Sequence, residues 1–283
     1  MVRITRKRKV KVKYAALAPG PYQCHPSIER TSEGCLPSEV LEEAAATLGV
    51  EPRRAALEKA LGVSPKQEWT FLNALPVQNK DVLADKYLRP RIPDSWKEDP
   101  DKWLDSTNIE AVMKQYEDAY PDFEFMGPYP IDFAAPDPYA KFDGGAKKKC
   151  LINEVCELRV KEAFKNGTHQ IGLIYNLDPH NKSGSHWVAV FVDIENHKTY
   201  YFDSYGLFPP KQIAAFMRWV KGQDPSMKLQ YNGRKFQHHD TECGMYSLYF
   251  IIRMIAGDGF RSFTRQAPPD KEMIKLRHWI FST

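Results

Sequence analysis

The chain has 283 residues, a net charge of +4 at pH 7 and a hydrophobic share of 42%. This length accommodates one large domain or a catalytic domain with a smaller appendage, and the apolar content is sufficient for a packed core. The small net charge does not by itself indicate a nucleic-acid-binding protein. No apolar run predicts a membrane-spanning helix, and none follows the basic start as a signal peptide would require.

The first 20 residues are predicted to form a flexible basic tail. Seven cationic side chains occur within the first thirteen positions: Arg3, Arg6, Lys7, Arg8, Lys9, Lys11 and Lys13. A solvated tail is the simpler interpretation of this pattern. The alternative is an electrostatic arm that contacts nucleic acid or an acidic partner.

Residues 21–88 are predicted to form a small helical domain. Its apolar spacing, with Ser38 as an N-cap and Gly49 and Gly62 as stop signals, indicates three helices: Glu39–Leu48, Arg53–Leu61 and Lys66–Leu75. The sequence does not distinguish a structural brace from a module that docks a substrate or partner.

Residues 89–100 are rich in proline and charge, which is typical of an extended linker. Residues 101–283 then alternate between helical and strand patterns and are predicted to form the catalytic domain. Helices are expected after Ser106 or Thr107 and over Lys149–Phe164, with a central strand over His169–Leu177. The predicted fold class is α+β, with a mixed central β-sheet flanked by helices.

The chain contains five cysteines, which are Cys24, Cys35, Cys150, Cys156 and Cys243. Because the number is odd and no secretion signal is present, we expect reduced thiols in a cytosolic compartment, with a Cys24–Cys35 pair as the alternative. No metal site is predicted. The His, Asp and Cys side chains between positions 238 and 243 are too close in sequence to close a tetrahedral site.

A β-hairpin is predicted to bring a histidine and a carboxylate together. The strand Trp187–Asp193 begins directly after His186, and its partner Thr199–Phe202 ends directly before Asp203. Two adjacent strand ends can hold an imidazole and a carboxylate within hydrogen-bonding distance. Asp193 is the weaker candidate because it ends its strand at the far side of the hairpin.

A cysteine is predicted in the first turn of a helix, Cys243–Ile255, with Thr241 as the N-cap. The helix dipole there favours a thiolate, which is the nucleophilic form of cysteine. Gln237, at the end of a predicted strand Lys228–Gln237, supplies an amide that could bind an oxyanion. Taken singly, Cys243 could be a buried structural thiol, and Gln237 a simple strand-end polar residue.

Together these residues supply the groups that a cysteine hydrolase needs, which are a thiol, a base, a group that orients the base and an oxyanion donor. His186 is the favoured base because of the hairpin. His238 and His239 are competing candidates because they lie close to Cys243 in sequence.

The order His, Asp, Gln, Cys resembles that of the SUMO proteases and adenovirus-type proteases. The matching stretches are residues 184–190, 201–204 and 237–245, and the spacings of 17 residues from His186 to Asp203 and six from Gln237 to Cys243 fit the SUMO-protease pattern. The resemblance covers roughly residues 100–283 and is nearest to the polyprotein-processing proteases of large DNA viruses. It implies a ubiquitin-like-protein protease fold that requires no cofactor.

The resemblance also assigns roles to these residues. It implies that His186 is the base, Asp203 its orienting partner, Gln237 the oxyanion donor and Cys243 the nucleophile. Trp187 and Trp103 would form a narrow tunnel that admits only glycine. Asp105 belongs to a Trp-Leu-x-Asp-like motif here, although it follows Leu104 without the usual intervening residue.

The sequence also suggests how substrate reaches the nucleophile and where cleavage occurs. Gly244 would allow the substrate backbone to approach closely. The resemblance implies cleavage of viral structural polyproteins after Gly-Gly, in the host cytoplasm and the virion. A deSUMOylase or deubiquitinase is the alternative, and a non-catalytic nucleic-acid-binding or packaging module is a third. The chain itself contains a Gly144-Gly145 pair that could be self-cleaved.

Overall fold

The computed structural model describes residues 24–28, 32–138, 140, 149–265 and 268–283. The basic tail of residues 1–20 and the Gly144-Gly145 pair lie outside the described residues, so the hypotheses about them stay predictions. Among the helices that are described, none combines the length and the apolar character needed to cross a membrane.

Four helices form the N-terminal part of the fold around their own apolar core: α1 (Ser38–Leu48), α2 (Arg54–Leu61), α3 (Glu68–Ala74) and α4 (Lys80–Tyr87). Gly49 and Gly62 end the first two helices in left-handed conformation, as predicted from the sequence. Ser38 is not the N-cap, because Pro37 occupies that position and Ser38 starts the helix.

A five-stranded sheet forms the centre of the remaining chain: β1 (Phe123–Pro130), β2 (Gln170–Asn176), β3 (Trp187–Asp193), β4 (Lys198–Phe202) and β5 (Lys228–Tyr231). The strands lie in the order β1-β2-β3-β4-β5. The pairs β1–β2 and β4–β5 are parallel, whereas β2–β3 and β3–β4 are antiparallel. The prediction of a mixed sheet in an α+β fold is therefore confirmed.

The remaining helices cover the sheet: α5 (Ser95–Glu98), α6 (Ser106–Ala119), α7 (Asn153–Glu157), α8 (Val160–Lys165), α9 (Lys211–Gln223), α10 (Cys243–Ile255), α11 (Phe260–Phe263) and α12 (Asp270–Ile280). One core contains α6, α10 and α12, and the other contains α9 and the segment from Val155 to Val160. Because each face of β3 joins a different core, six of its seven residues are buried. Helix α10 is apolar on nearly all sides because it packs between the sheet and α6 and α12.

Two predicted elements are shorter than expected. The helix Lys149–Phe164 is divided into α7 and α8, because the Gln223 side chain bonds the Leu158 carbonyl and the Val160 N–H at the break. The predicted strand Lys228–Gln237 ends at Tyr231, since the buried amide of Asn232 bonds the backbone of Asp203 instead of continuing the ladder.

The segment that the sequence predicts as a linker lies against the C-terminus of the chain. Ile92 N–H donates to the Ser282 carbonyl at 2.9 Å, and Ser282 N–H donates to the Pro90 carbonyl at 2.8 Å. Within this segment, the buried Trp96 packs edge-on against Phe281 with ring centroids 4.9 Å apart. The segment therefore contributes to the core of the catalytic part.

The expectation of reduced thiols is wrong for four of the five cysteines. Cys24 pairs with Cys35 and Cys150 with Cys156, with Cα–Cα distances of 5.2 Å and 6.5 Å. Both distances lie in the range that a disulfide can bridge. The number of cysteines is odd because one of them, Cys243, is free. An odd number of cysteines is therefore compatible with two disulfides.

We expect a denatured chain to react with iodoacetamide at one thiol without reductant and at five after reduction. Intact mass spectrometry counts the adducts, and peptide mapping identifies Cys243 as the site modified without reductant. Cys243→Ala is the matched control and should take up no label before reduction. Labelling of five thiols in the untreated protein would contradict the two disulfides.

Candidate active site

His186 and Asp203 lie side by side because β3 and β4 are antiparallel. His186 directly precedes β3 and Asp203 directly follows β4, where Ala189 pairs with Phe202. His186 Nε2 lies 2.7 Å from Asp203 Oδ1, and the carboxylate is buried at 1% exposure. The contact that the hairpin pattern predicts is therefore present.

The Asp203 carboxylate is held in place by backbone donors in the loop that follows it. Tyr205 N–H donates to Oδ1 at 2.9 Å, and Leu207 N–H donates to Oδ2 at 3.1 Å. The Asn232 side chain bonds both the N–H and the carbonyl of Asp203 at 2.9 Å and 2.7 Å. These contacts fix the carboxylate before it meets the imidazole.

The ring of Tyr205 stacks on the His186 imidazole, with centroids 4.7 Å apart and an interplanar angle of 20°. One edge of the imidazole is therefore bonded and one face is covered. Neither Tyr205 nor Asn232 was predicted from the sequence as part of the site. Tyr205 could have been noted because it follows Asp203 so closely, whereas nothing in the sequence around Asn232 indicates its role.

Cys243 is the first residue of α10 and is buried. Its sulfur lies close enough to His186 to raise the pKa of the imidazole. Burial lowers the pKa of His186, but the hydrogen bond to Asp203, the nearby Cys243 sulfur and the negative charges of both groups raise it to about 9. The imidazole therefore carries its proton at neutral pH. The positive end of the α10 dipole lies at Cys243 and favours negative charge on the sulfur.

The competing histidines do not make this contact. His238 and His239 are exposed, and their backbone N–H groups both donate to Asp270 Oδ2, at 2.8 Å and 3.0 Å. Asp193 bonds Asn196 at the opposite end of the hairpin. The geometry thus favours His186 and Asp203 over their alternatives.

Gln237 is fully buried in the loop between β5 and α10 and not at the end of a strand. Its Oε1 accepts a hydrogen bond from Ser204 Oγ at 2.6 Å, which orients the amide. Within the part of the chain that the structure describes, its Nε2 has no hydrogen-bond partner. A buried amide donor left open in this way is costly unless a ligand satisfies it.

The two tryptophans differ in exposure but lie on one groove. Trp187 is 7% exposed and Trp103 is 41% exposed, and both line a groove of about 390 Å³ that Tyr129, Asn176 and Asp178 extend. The Trp187 indole N–H donates to the Leu104 carbonyl at 2.9 Å. This bond ties the wall that contains Trp103 to the start of β3.

Gly244 and Asp105 have structural partners within the chain. A Cβ on Gly244 would lie 3.0 Å from Leu104 Cβ and 3.3 Å from Trp187 Cδ1, so this glycine makes room for the chain's own side chains. The Asp105 carboxylate accepts from Asn108 N–H at 2.8 Å as the N-cap of α6, the position predicted for Ser106 or Thr107. Asp105 also lines the groove. Thr241 is likewise not a cap, since Glu242 occupies the N-cap position of α10.

No group of His, Cys, Asp and Glu side chains suited to a metal ion occurs among the described residues. The buried charged side chain next to Cys243 in sequence is paired with an arginine. Glu242, directly before the thiol, forms an ion pair with Arg277 at 2.9 Å.

Comparisons with known proteins agree with this fold. The C-terminal catalytic domain of the Ulp1 protease family matches residues 131–281. A mimivirus protein named thiol protease R355 is 34% identical over 75% of this chain and 66% of its own length. An African swine fever virus protein named SUMO-1 cysteine protease is 27% identical over 72% of this chain and 77% of its own length.

The crystal structure of the African swine fever virus pS273R protease superposes with a TM-score of 0.66 at 20% identity. The superposition covers 95% of this chain and 98% of that one, so it includes the N-terminal helices as well as the sheet. At this identity the similarity concerns the fold alone. Because the family match spans more than half of the chain, this protein belongs to the Ulp1 protease family of cysteine proteases.

Proposed function

We propose that this protein is an endopeptidase that uses Cys243 to cleave structural polyprotein precursors of a large DNA virus after Gly-Gly. The observation that carries the proposal is the 2.7 Å hydrogen bond between His186 and Asp203, with the buried Cys243 at the start of α10 near enough to raise the pKa of His186. We propose that it acts in the host cytoplasm and in the virion.

Acylation begins with the proton already on His186. The imidazolium pairs with the Cys243 thiolate, and Asp203 holds the ring in the required orientation. The sulfur attacks the carbonyl carbon of the second glycine and forms the tetrahedral intermediate. His186 then donates its proton to the leaving amine, the C–N bond breaks, and a thioester remains on Cys243.

The oxyanion of each intermediate needs donors, and we assign this role to two groups. Gln237 Nε2, which no described residue bonds, is buried, and the amide is oriented by Ser204. The backbone N–H of Cys243, at the first position of α10, has no partner within its own helix. For deacylation, neutral His186 takes a proton from water, the hydroxide adds to the thioester, and Cys243 leaves as the thiolate.

Selectivity for glycine would arise from the groove between Trp103 and Trp187. The Leu104–Trp187 hydrogen bond holds the wall close to the helix start. A substrate side chain at this point would compete for space with Trp103 and Trp187, which line the groove. The groove beyond them is lined by Tyr129 and Asp178 and could accept an extended segment.

An isopeptidase for ubiquitin-like proteins is the second candidate. The observation that favours it is the relative from African swine fever virus that is named a SUMO-1 cysteine protease. Both substrate classes present Gly-Gly at the scissile bond, so the same nucleophile would serve either reaction.

Cleavage assays with short fluorogenic Gly-Gly-Xaa peptides and with ubiquitin and SUMO fusions separate the two candidates. We expect efficient peptide cleavage that is abolished in Cys243→Ala. Cleavage of the fusions alone would establish the isopeptidase instead. If neither substrate is cleaved by the active-thiol form, the proposed function is rejected.

The pH dependence of kcat/KM should fall on the alkaline side with a midpoint near pH 9, as the His186 imidazolium loses its proton. In Asp203→Asn this limb should move to lower pH, because Asp203 contributes to the raised pKa. Asp224→Asn, which alters the exposed His197–Asp224 pair, is the matched control and should leave the limb in place. Superimposable profiles for Asp203→Asn and the unsubstituted chain would contradict this assignment.

The same proton affects stability. Since the folded-state pKa of His186 is raised above its ordinary value of 6.5, protonation stabilises the fold fully below that value. The contribution is lost as the pH rises through about 9. Thermal unfolding across this range, compared between the unsubstituted chain and His186→Gln, measures it.

Gln237→Ala should lower kcat by about 10²- to 10³-fold, the effect typical of losing one oxyanion donor, with little change in KM. Alkylation of Cys243 by iodoacetamide should stay fast, because Gln237 does not bond the thiol. Gln230→Ala, on the exposed edge strand β5, is the control and should retain activity. A Gln237→Ala variant with normal kcat would exclude the oxyanion role.

A further inference from the structure

A buried arginine outside the set of catalytic candidates lies directly behind the nucleophile. Arg277, on α12, is 2% exposed, and its guanidinium grips the carboxylate of Glu242. Nη2 lies 2.9 Å from Glu242 Oε1, and Nε lies 3.1 Å from both carboxylate oxygens. Since Glu242 directly precedes Cys243, this ion pair holds the backbone that presents the thiol.

The same guanidinium also holds the segment that contains Trp103. Arg277 Nη1 donates to the Lys102 carbonyl at 2.7 Å. The face of the guanidinium lies over the ring of Trp96, with Cζ 4.6 Å from the ring centroid. Arg277 thus joins the chain before Trp103 to the chain before Cys243.

Together with the contacts of Leu104, these bonds form a closed series at one side of the groove. From Lys102 the chain runs to Leu104, whose side chain packs where a Cβ of Gly244 would otherwise lie. The Leu104 carbonyl accepts the hydrogen bond from Trp187. The series then returns through α10 and Glu242 to Arg277. Trp103 and Trp187, which both line the groove, are therefore connected to the helix start at Cys243, and one guanidinium completes the connection.

We propose that Arg277 is a positioning residue that fixes the distance between the wall at Trp103 and the helix start at Cys243, and so sets the selectivity for glycine. The inference rests on the proposed function, in which Cys243 attacks beside a glycine-selective groove. Arg277 does not touch the substrate; it acts through Glu242 and Lys102.

The geometry requires arginine and not merely a cation. A guanidinium can bind a carboxylate through two nitrogens while a third donates to a carbonyl, and its flat face can stack on an aromatic ring. A lysine ammonium is a point charge on a flexible stem and cannot satisfy these partners in the same fixed arrangement. Arg277→Lys therefore keeps the charge but loses the connection between the two segments.

The chain offers a matched control on the helix that starts with Cys243. Arg253, in the last turn of α10, pairs with Asp258 at 2.7 Å and is 11% exposed. This partly buried pair stabilises the far end of the helix and contacts neither Lys102 nor Glu242. Arg253→Lys therefore tests the effect of weakening an arginine ion pair on α10 away from the groove.

The experiment compares kcat/KM for peptides with Gly-Gly-Xaa and Gly-Ala-Xaa, with kcat normalised to the Cys243 that iodoacetamide titrates. In Arg277→Lys we expect cleavage after Gly-Gly to fall about tenfold and the preference over Gly-Ala to shrink about tenfold, as for a small misplacement of reacting groups. Arg253→Lys should keep both values within about twofold, because a substitution that does not contact the groove or Glu242 has little effect on the reacting groups.

A second variant tests the same role in case Arg277→Lys does not fold. Glu242→Met combined with Arg277→Met removes both charges, so no unpaired charge stays buried, and exchanges of this kind often fold. It should also lose the preference for Gly-Gly. If either variant keeps the unsubstituted selectivity per titrated thiol, or if Arg253→Lys loses it equally, the role of Arg277 is wrong.

Failure of this inference differs from failure of the proposed function. If the unsubstituted chain shows no cleavage that depends on Cys243, the proposed function is rejected. If the unsubstituted chain cleaves with a preference for Gly-Gly and Arg277→Lys shows the same preference, only the positioning role is rejected.

Discussion

The hydrogen bond between His186 and Asp203 depends on the register of one antiparallel strand pair, and the rest of the candidate site depends on that bond. Because side chains alternate along a strand, a shift of β4 by one residue would turn Asp203 away from the imidazole. Burial of β3 on both faces opposes such a shift. The Asn232 amide adds a second restraint by bonding the Asp203 backbone on both sides. The core therefore stabilises a polar contact at its edge.

Cys243, the proposed nucleophile, is positioned by an equally buried element. Helix α10 begins at Cys243 and packs between the sheet and two other helices, so its axis, and the dipole directed at the thiol, cannot easily move. Behind it, Glu242 is buried at 0% exposure and is paired with Arg277. Removing one partner of such a pair is far more costly than replacing both. For this reason Arg277→Lys keeps the charge and the double methionine variant replaces both partners.

The site leaves one polar group open while its neighbours are satisfied. The Asp203 carboxylate accepts from His186 and two backbone donors, whereas Gln237 has one end bonded by Ser204 and the other, within the described chain, without a partner. A hydrogen-bond donor that is already oriented stabilises developing negative charge effectively, because it does not have to rearrange during the reaction. The N-terminal helices are joined to the catalytic part at the end of the chain. The backbone N–H of Trp69 donates to the Thr283 carbonyl, next to Ser282, which bonds the predicted linker.

Local pattern in the sequence by itself determined the β3–β4 hairpin, the apolar helix that starts at Cys243 and the order of the four candidate residues. The hairpin and the helix follow from hydrophobic periodicity over short windows, because strands and helices bury their side chains at regular intervals. The order of the four residues is read directly from their positions along the chain. Only the tertiary structure decided that Gln237 lies in a loop, that four cysteines are paired and that Arg277 bonds Glu242 and the Lys102 carbonyl. Those contacts join residues as far as 175 positions apart, and no local preference encodes them, because they form only when separate elements pack around a common core.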